Sequence, residues 1–336
     1  MRSYCAVYVD AGYLLAAAAT RITGTSLRGG VTVDHRVLID GIIQQVERAS
    51  GLPILRVNWY DSATRGIPNA EQDAIAMLPK VKVRLGRRSF SGEQKGVDLR
   101  IGLDLSTHGR GRVVDVAYLV SGDDDLTEAV EEAQGHGVQV IVLAVPGADG
   151  RPHGVAQHLM READGLALMD TDVIEQAVHT AQVGSRQSVT EHSETAAAAP
   201  SPAELANSHG RPTPPRPTAP AASIPHDVGT VSGPPASLVY STHTGQPSWT
   251  EPAHLTPEAK ALIDEVCRGV VATWTRTATP GERERLRKAR PGIPGDLDRA
   301  LLVDMSNRLG VYDIDEVTRH ELRARFWEQL DIDPQT

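Results

Sequence analysis

The sequence predicts an α/β fold: a doubly wound, mainly parallel sheet over residues 1–180, a flexible linker over 181–252 and a small all-helical domain over 253–332. Three observations predict it. Compact apolar runs at 4–9 (YCAVYV), 113–120 (VVDVAYLV) and 138–144 (VQVIVLA) read as strands buried on both faces. Helical segments separate the strands, so successive strands return in parallel. The composition then changes to Ser, Thr, Pro and Ala, including RPTPPRPTAP at 211–220, which cannot offset the entropy of ordering its backbone.

Each element follows in order. After the first strand, Asp10-Ala11-Gly12 turns into an alanine-rich helix. Asp34 caps the next helix, where Val37, Leu38, Ile42 and Val46 recur at helical spacing until Ser50-Gly51. Residues 54–60 (ILRVNWY) form a second strand, 70–78 a short helix, and 81–85 (VKVRL) a strand exposed on one side. A helix spans Gly96 to about Thr107, and another spans Asp124 to Gln134 before Gly135 and Gly137. A helix over 153–164 and a short strand at 165–169 close the domain. Beyond the linker, Thr256-Pro257-Glu258 starts a helical region with helices at 258–274, 296–309 and 315–330.

The bulk numbers narrow the function classes. With 336 residues, 40% hydrophobic and only 4% aromatic, the core is aliphatic. A net charge of -9 excludes an overall basic nucleic-acid coat, though not a local basic groove or phosphate binding through metal ions. Cys5, in an apolar run, fits a buried thiol, and with Cys267 as the one other cysteine neither a disulfide framework nor a cysteine-rich zinc site is expected. Neither a secretion signal nor a run of about 20 apolar residues is present, so a cytoplasmic protein with no membrane partner is expected.

Chemistry concentrates in the carboxylates. Asp10 directly follows the first strand, and Asp123 follows the strand at 113–120 through Ser121-Gly122. If those strands are neighbours, the two acids face one another across a crevice, where a cation must compensate them. Asp98 opens a helix and points to the same edge, and Asp125 completes the cluster. Asp104, six positions beyond Asp98, is rotated about 120° away on the helix and takes a secondary place. Oxygen-only ligation suits Mg2+ or Mn2+. Capping is the plain alternative, since Asp124 or Asp125 could cap a helix and Asp125-x-x-Glu128 matches a capping box.

Arg84, Arg87, Arg88 and Lys95 precede Asp98 and could hold phosphates on either side of a cut; the alternative is a solvated basic loop. Tyr13, Trp59 and Tyr60 lie at strand ends as base-stacking groups or as packing residues. The twelve histidines form no catalytic arrangement, His153 and His158 being too far apart for a zinc helix.

Three motifs in order, VDAGYL at 9–14, QKGVDLRIGLDL at 94–105 and SGDDDL at 121–126, resemble the NYN family, a branch of the PIN-like nucleases. The resemblance covers residues 4–177. It implies a PIN-like, Rossmann-like sheet, an acidic pocket binding Mg2+ or Mn2+, and action on RNA. Motif by motif, it places Asp10, Asp98, Asp123 and Asp125 in the catalytic and metal-binding set, with Asp104 as a further acid. Ser121 is expected to orient a phosphate or a water. Relatives commonly carry D-G-x-N where this chain has Asp10-Ala11-Gly12-Tyr13, so an Asn amide is missing beside the site and Tyr13 stands in its place.

The leading expectation is therefore a metal-dependent ribonuclease that hydrolyses phosphodiester bonds. The alternative is a non-catalytic RNA-binding or regulatory scaffold acting through the helical domain, whose partner is a second copy, another protein or RNA. The stretch Arg283, Arg285, Arg287, Lys288 and Arg290 offers basic charge there, but Glu282 and Glu284 interrupt it as in a solvated face. A small-molecule phosphohydrolase is third, lacking the early D-x-D and the G-x-x-x-x-G-K-[ST] loop.

Overall fold

A computed structural model describes residues 3–64, 66–88, 94–182, 239–240, 247–248, 255–311 and 313–332. β1 (Cys5–Asp10) is fully apolar until its last residue and occupies the middle of the main sheet. Alternation along it sends Cys5, Val7 and Val9 to one face and Ala6 and Tyr8 to the other. The first face is covered by α1 (Ala11–Thr23) and α2 (His35–Ser50). α2 buries Leu38, Ile39, Ile42, Ile43 and Val46 as one stripe, each worth up to about 2 kcal/mol. Asp34 caps it by accepting from Val37 N at 3.1 Å, and Gly51 ends it at φ 66°, a left-handed conformation that favours glycine.

β3 (Ile54–Thr64) lies on one side of β1, followed by α3 (Ala70–Ala76), β4 (Val81–Arg88) and the short β5 (Gln94–Lys95). On the other side lie β6 (Val116–Val120), β7 (Gln139–Ala144) and β8 (Gly165–Leu168). The order is β5–β4–β3–β1–β6–β7–β8, parallel except for β5 against β4. α4 (Val97–Arg110), α5 (Thr127–Gly135) and α6 (Gln157–Glu162) cover the second face. The chain thus leaves β1 first toward β3 and later toward β6. Between β1 and β6 the order reverses, which opens a crevice at the carboxyl ends of the strands.

The expected doubly wound sheet is present, with shifted bounds. Residues 113–115 precede β6, where the Asp115 carboxylate accepts from Tyr4 N at 2.9 Å. α6 starts at Gln157, after a loop in which His153 N donates to Val145 O. A three-residue strand β2 (Val31–Val33) pairs antiparallel with β9 (Val178–Thr180) beyond α7 (Thr171–Ala177); three residues are too few for a readable alternation. The expected linker falls largely outside the described residues. Within the unit 187–254, β10 (Val239–Tyr240) pairs antiparallel with β11 (Pro247–Ser248).

The C-terminal helices are α8 (Pro257–Thr277), α9 (Pro280–Ala289), α10 (Gly295–Leu309) and α11 (Glu316–Ile332). Thr256 caps α8 by accepting from Ala259 N at 3.2 Å. Trp274, Phe326 and Trp327 are buried in a core of their own, with Cys267 among them as a buried thiol. Leu27, from the loop after α1, is buried in that same core. Residues up to 186 and from 255 onward accordingly form one compact unit. No helix of the described residues is long and apolar enough to cross a membrane.

The loop is pinned by Asp304 of α10, whose Oδ1 accepts from Ser26 N at 2.9 Å. Its Oδ2 is buried with no partner among the described residues, and burial pushes the carboxyl up to about 6, against the pull of the Ser26 hydrogen bonds. A folded-state value above the unfolded one means that the folded chain holds the proton more tightly. Stability from this group is therefore full at low pH and falls as pH rises from the unfolded value of about 4 to about 6. Asn at 304 does not titrate. We predict that Asp304→Asn gains stability over the parent across that window, on the order of 2 kcal/mol, in urea unfolding followed against pH. A difference that stays flat with pH would refute the assignment.

Candidate active site

The crevice at the strand ends is built from β1, β6 and the start of α4. Asp10 ends β1 and caps α1: its Oδ1 accepts from Gly12 N at 2.8 Å and Tyr13 N at 3.2 Å. Ser121, fully buried after β6, donates from Oγ to Asp10 Oδ2 at 3.5 Å and accepts from Asp123 N at 3.3 Å. It thereby ties the two strand ends together. Asp123 in turn accepts from Asp125 N at 3.0 Å, so the 124–126 turn is capped by Asp123, and the box from Asp125 to Glu128 is not used. Asp125 is exposed. Asp98 lies in the first turn of α4, behind Gly96 at φ 86°.

These acids feel one another. Burial pushes the Asp10 carboxyl up to about 6, Asp98 adds to the rise, and the Tyr13 and Gly12 amides and Arg28 pull it back. Burial also lifts Asp98, with the charges of Asp123 and Asp125 adding to it. Asp123 is raised by burial and by Asp125 and Asp124, while the Asp125 amide opposes. Burial thus disfavours ionisation of all three, and the charges of Asp98 on Asp10 and of Asp123 on Asp98 add to it, the condition that a cation relieves.

The donor set is oxygen only, which fits a hard divalent ion. Yet among the described residues no group of three or more His, Cys, Asp or Glu side chains stands together as a ligand cluster. Asp10 and Asp123 are turned onto backbone amides and serve as caps.

The remaining candidates are placed as follows. Asp104 is engaged by other side chains, its Oδ2 accepting from Tyr60 Oη at 2.8 Å and facing Arg84 Nε at 3.2 Å. Arg84 is therefore paired with Asp104. The side chains of Arg87, Arg88 and Lys95 lie outside the described residues. Tyr13 donates to His153 O at 2.8 Å and accepts from Val145 N at 3.3 Å, so its ring bridges the two halves of the crevice. Trp59 and Tyr60 are fully buried core residues, Trp59 lying edge-on to His35. A polar concavity between α2 and α7, lined in part by Asp40, Gln44, Arg48 and Asp172, involves none of the candidates.

Two residues at this edge carried no sequence signal: Arg28, in a 3-10 turn beyond α1, and Asp61, after Tyr60 in β3. A loop cation has no periodicity to betray it.

Residues 4–170 match the NYN domain family. The uncharacterized protein y4oD of Sinorhizobium fredii (strain NBRC 101917 / NGR234) is 37% identical over 138 residues, 41% of this chain and 60% of that protein. The match thus spans less than two thirds of the relative. Among solved structures, a protein of unknown function, VPA0982, from Vibrio parahaemolyticus RIMD 2210633 overlays with a TM-score of 0.36 at 22% identity, covering 51% of this chain and 95% of that one. An isochorismatase-like hydrolase from Alkaliphilus metalliredigens overlays at 0.25 and 11% identity, covering 52% and 94%. Both TM-scores are too low to transfer detail.

Gly122 marks the tightest point of the crevice. A Cβ there would lie 1.8 Å from Gly154 O and 2.9 Å from the Tyr13 ring. We expect Gly122→Ala to cost about 1–3 kcal/mol in urea unfolding. Gly135→Ala, where nothing lies within 4 Å, should be close to neutral. Equal effects from the two would contradict this packing.

Proposed function

Residues 4–170 constitute an NYN domain of the PIN-like nuclease superfamily, and from that premise we propose that the chain is a Mg2+- or Mn2+-dependent ribonuclease. The reading is carried by one observation: partly buried acids from β1, α4 and the end of β6 gather at the reversal point of the sheet, with Asp98 close enough for its charge to act on Asp10 and for the charge of Asp123 to act on it.

In this reading Asp10, Asp98 and Asp123 hold the cation, which when bound supplies Lewis-acid polarisation of the scissile phosphate. Ser121 keeps Asp10 and Asp123 in register through its buried hydroxyl. Asp125, exposed at the mouth, orients the attacking water and takes its proton. The new bond joins water oxygen to phosphorus, the bond to the leaving oxygen breaks, and that oxygen takes a proton from solvent. Asp104 acts as a support: through Tyr60 and Arg84 it fixes the helix that carries Asp98. Arg87, Arg88 and Lys95, on the β4–β5 edge, are assigned to flanking phosphates.

A non-catalytic RNA-binding scaffold is the second reading, favoured by the lack of a ready three-ligand cluster among the described residues. Cleavage of mixed-sequence RNA separates the two. The parent should cut with Mg2+ or Mn2+ and stop on adding EDTA, and Asp123→Asn should lose roughly 100-fold or more. Calorimetry with Mn2+ should show binding to the parent that Asp10→Asn weakens. A folded parent that neither cuts RNA nor binds Mn2+ would leave only the scaffold.

A further inference from the structure

The loop after α1 is not free-standing. Ser26 donates from its amide to Asp304 and from its hydroxyl to Ala300 O at 3.4 Å. Leu27 is buried in the helical core, and the methyl group of Thr25 lies 3.2 Å from the Cβ position of Gly269. Gly30 lies so close to α8 that a Cβ there would come 2.4 Å from Thr273 Cγ2. Residues on both sides of Arg28 thus pack on α8 and α10.

Held in this way, Arg28 reaches the crevice edge. Its guanidinium lies 3.9 Å from Asp61 Oδ1, beyond hydrogen-bond range. Asp61 already accepts from Gln72 Nε2 at 2.7 Å and from Ser62 N at 2.8 Å. It follows Tyr60, the register partner of Asp10 across β1 and β3. Arg28 keeps 34% of its side chain exposed, and its charge is felt at Asp10. A partly exposed arginine with one long ion pair among the described residues, beside acids that repel phosphate, has the chemistry of a phosphate clamp.

We propose that Arg28 binds an RNA phosphate beside the acidic crevice, and that the C-terminal helices belong to the substrate site because they hold the Thr25–Gly30 loop. The proposal rests on the ribonuclease reading for its ligand.

The test uses the full chain and a short fluorescein-labelled single-stranded RNA of mixed sequence, with anisotropy read in Ca2+ over a salt series. Arg28→Met should bind about tenfold more weakly at low salt, and the slope of log K against log salt should shrink by about 0.7. Arg28→Lys should recover part of the affinity. Gly30→Ala should weaken binding in the same direction, and adding Thr273→Ala should restore it, because the displaced methyl group is gone. Unchanged affinity and slope in Arg28→Met, with the parent still binding, would overturn the clamp alone. Gly30→Ala binding like the parent, or a double variant that folds but is not restored, would overturn the role of the helices. Where Gly30→Ala does not fold, Gly269→Ala, whose Cβ would press on the Thr25 methyl group at 3.2 Å, takes its place: weaker binding is expected, and binding like the parent would overturn the role of the helices. A parent that neither binds RNA in Ca2+ nor cuts it in Mg2+ or Mn2+ would remove the ribonuclease reading and this inference together.

Discussion

Carboxylates brought into one partly dry space repel one another, and each loses hydration that a neighbour of like charge cannot replace. Asp10, Asp98 and Asp123 are in that position because β1 and β6 are adjacent and parallel and α4 begins above them. The protein answers the repulsion with backbone dipoles: Gly12 and Tyr13 amides on Asp10, the Asp125 amide on Asp123, and a buried serine hydroxyl between them. That solution makes helix caps and candidate ligands the same side chains. Capping and chemistry therefore do not exclude each other here. A cation arriving at the crevice would have to compete with amide hydrogen bonds worth about 1 kcal/mol each or more.

Much of the architecture was legible because parallel strands buried on both faces leave long apolar runs. Cys5 to Val9 and Val116 to Val120 could hardly be anything else. Asp34 and Thr256 announced their helices because capping is a local interaction. What stayed hidden depends on contacts between distant residues. β2 is three residues long and exists through pairing with β9 almost 150 residues later. Leu27 looks like a loop residue until the helical core closes over it.

The crevice shows the same division. Motif order pointed to acids at strand ends, and periodicity set Asp104 apart from Asp98. It could not name Tyr60 and Arg84 as the groups that Asp104 meets, since they come from β3 and β4. Arg28 sits in LRGG, a stretch with neither alternation nor helical spacing, and nothing in it indicates the neighbourhood of Asp10.

The phenol of Tyr13 has a mechanical consequence. By donating to the carbonyl of His153 and accepting from the amide of Val145, it rivets the first helix to the far bank of the cleft. With Gly122 pressed against Gly154 beneath it, the two banks cannot spread without tearing that rivet out. The opening is consequently stiff in its main chain. Any adjustment at the opening therefore falls to side-chain rotation at the rim.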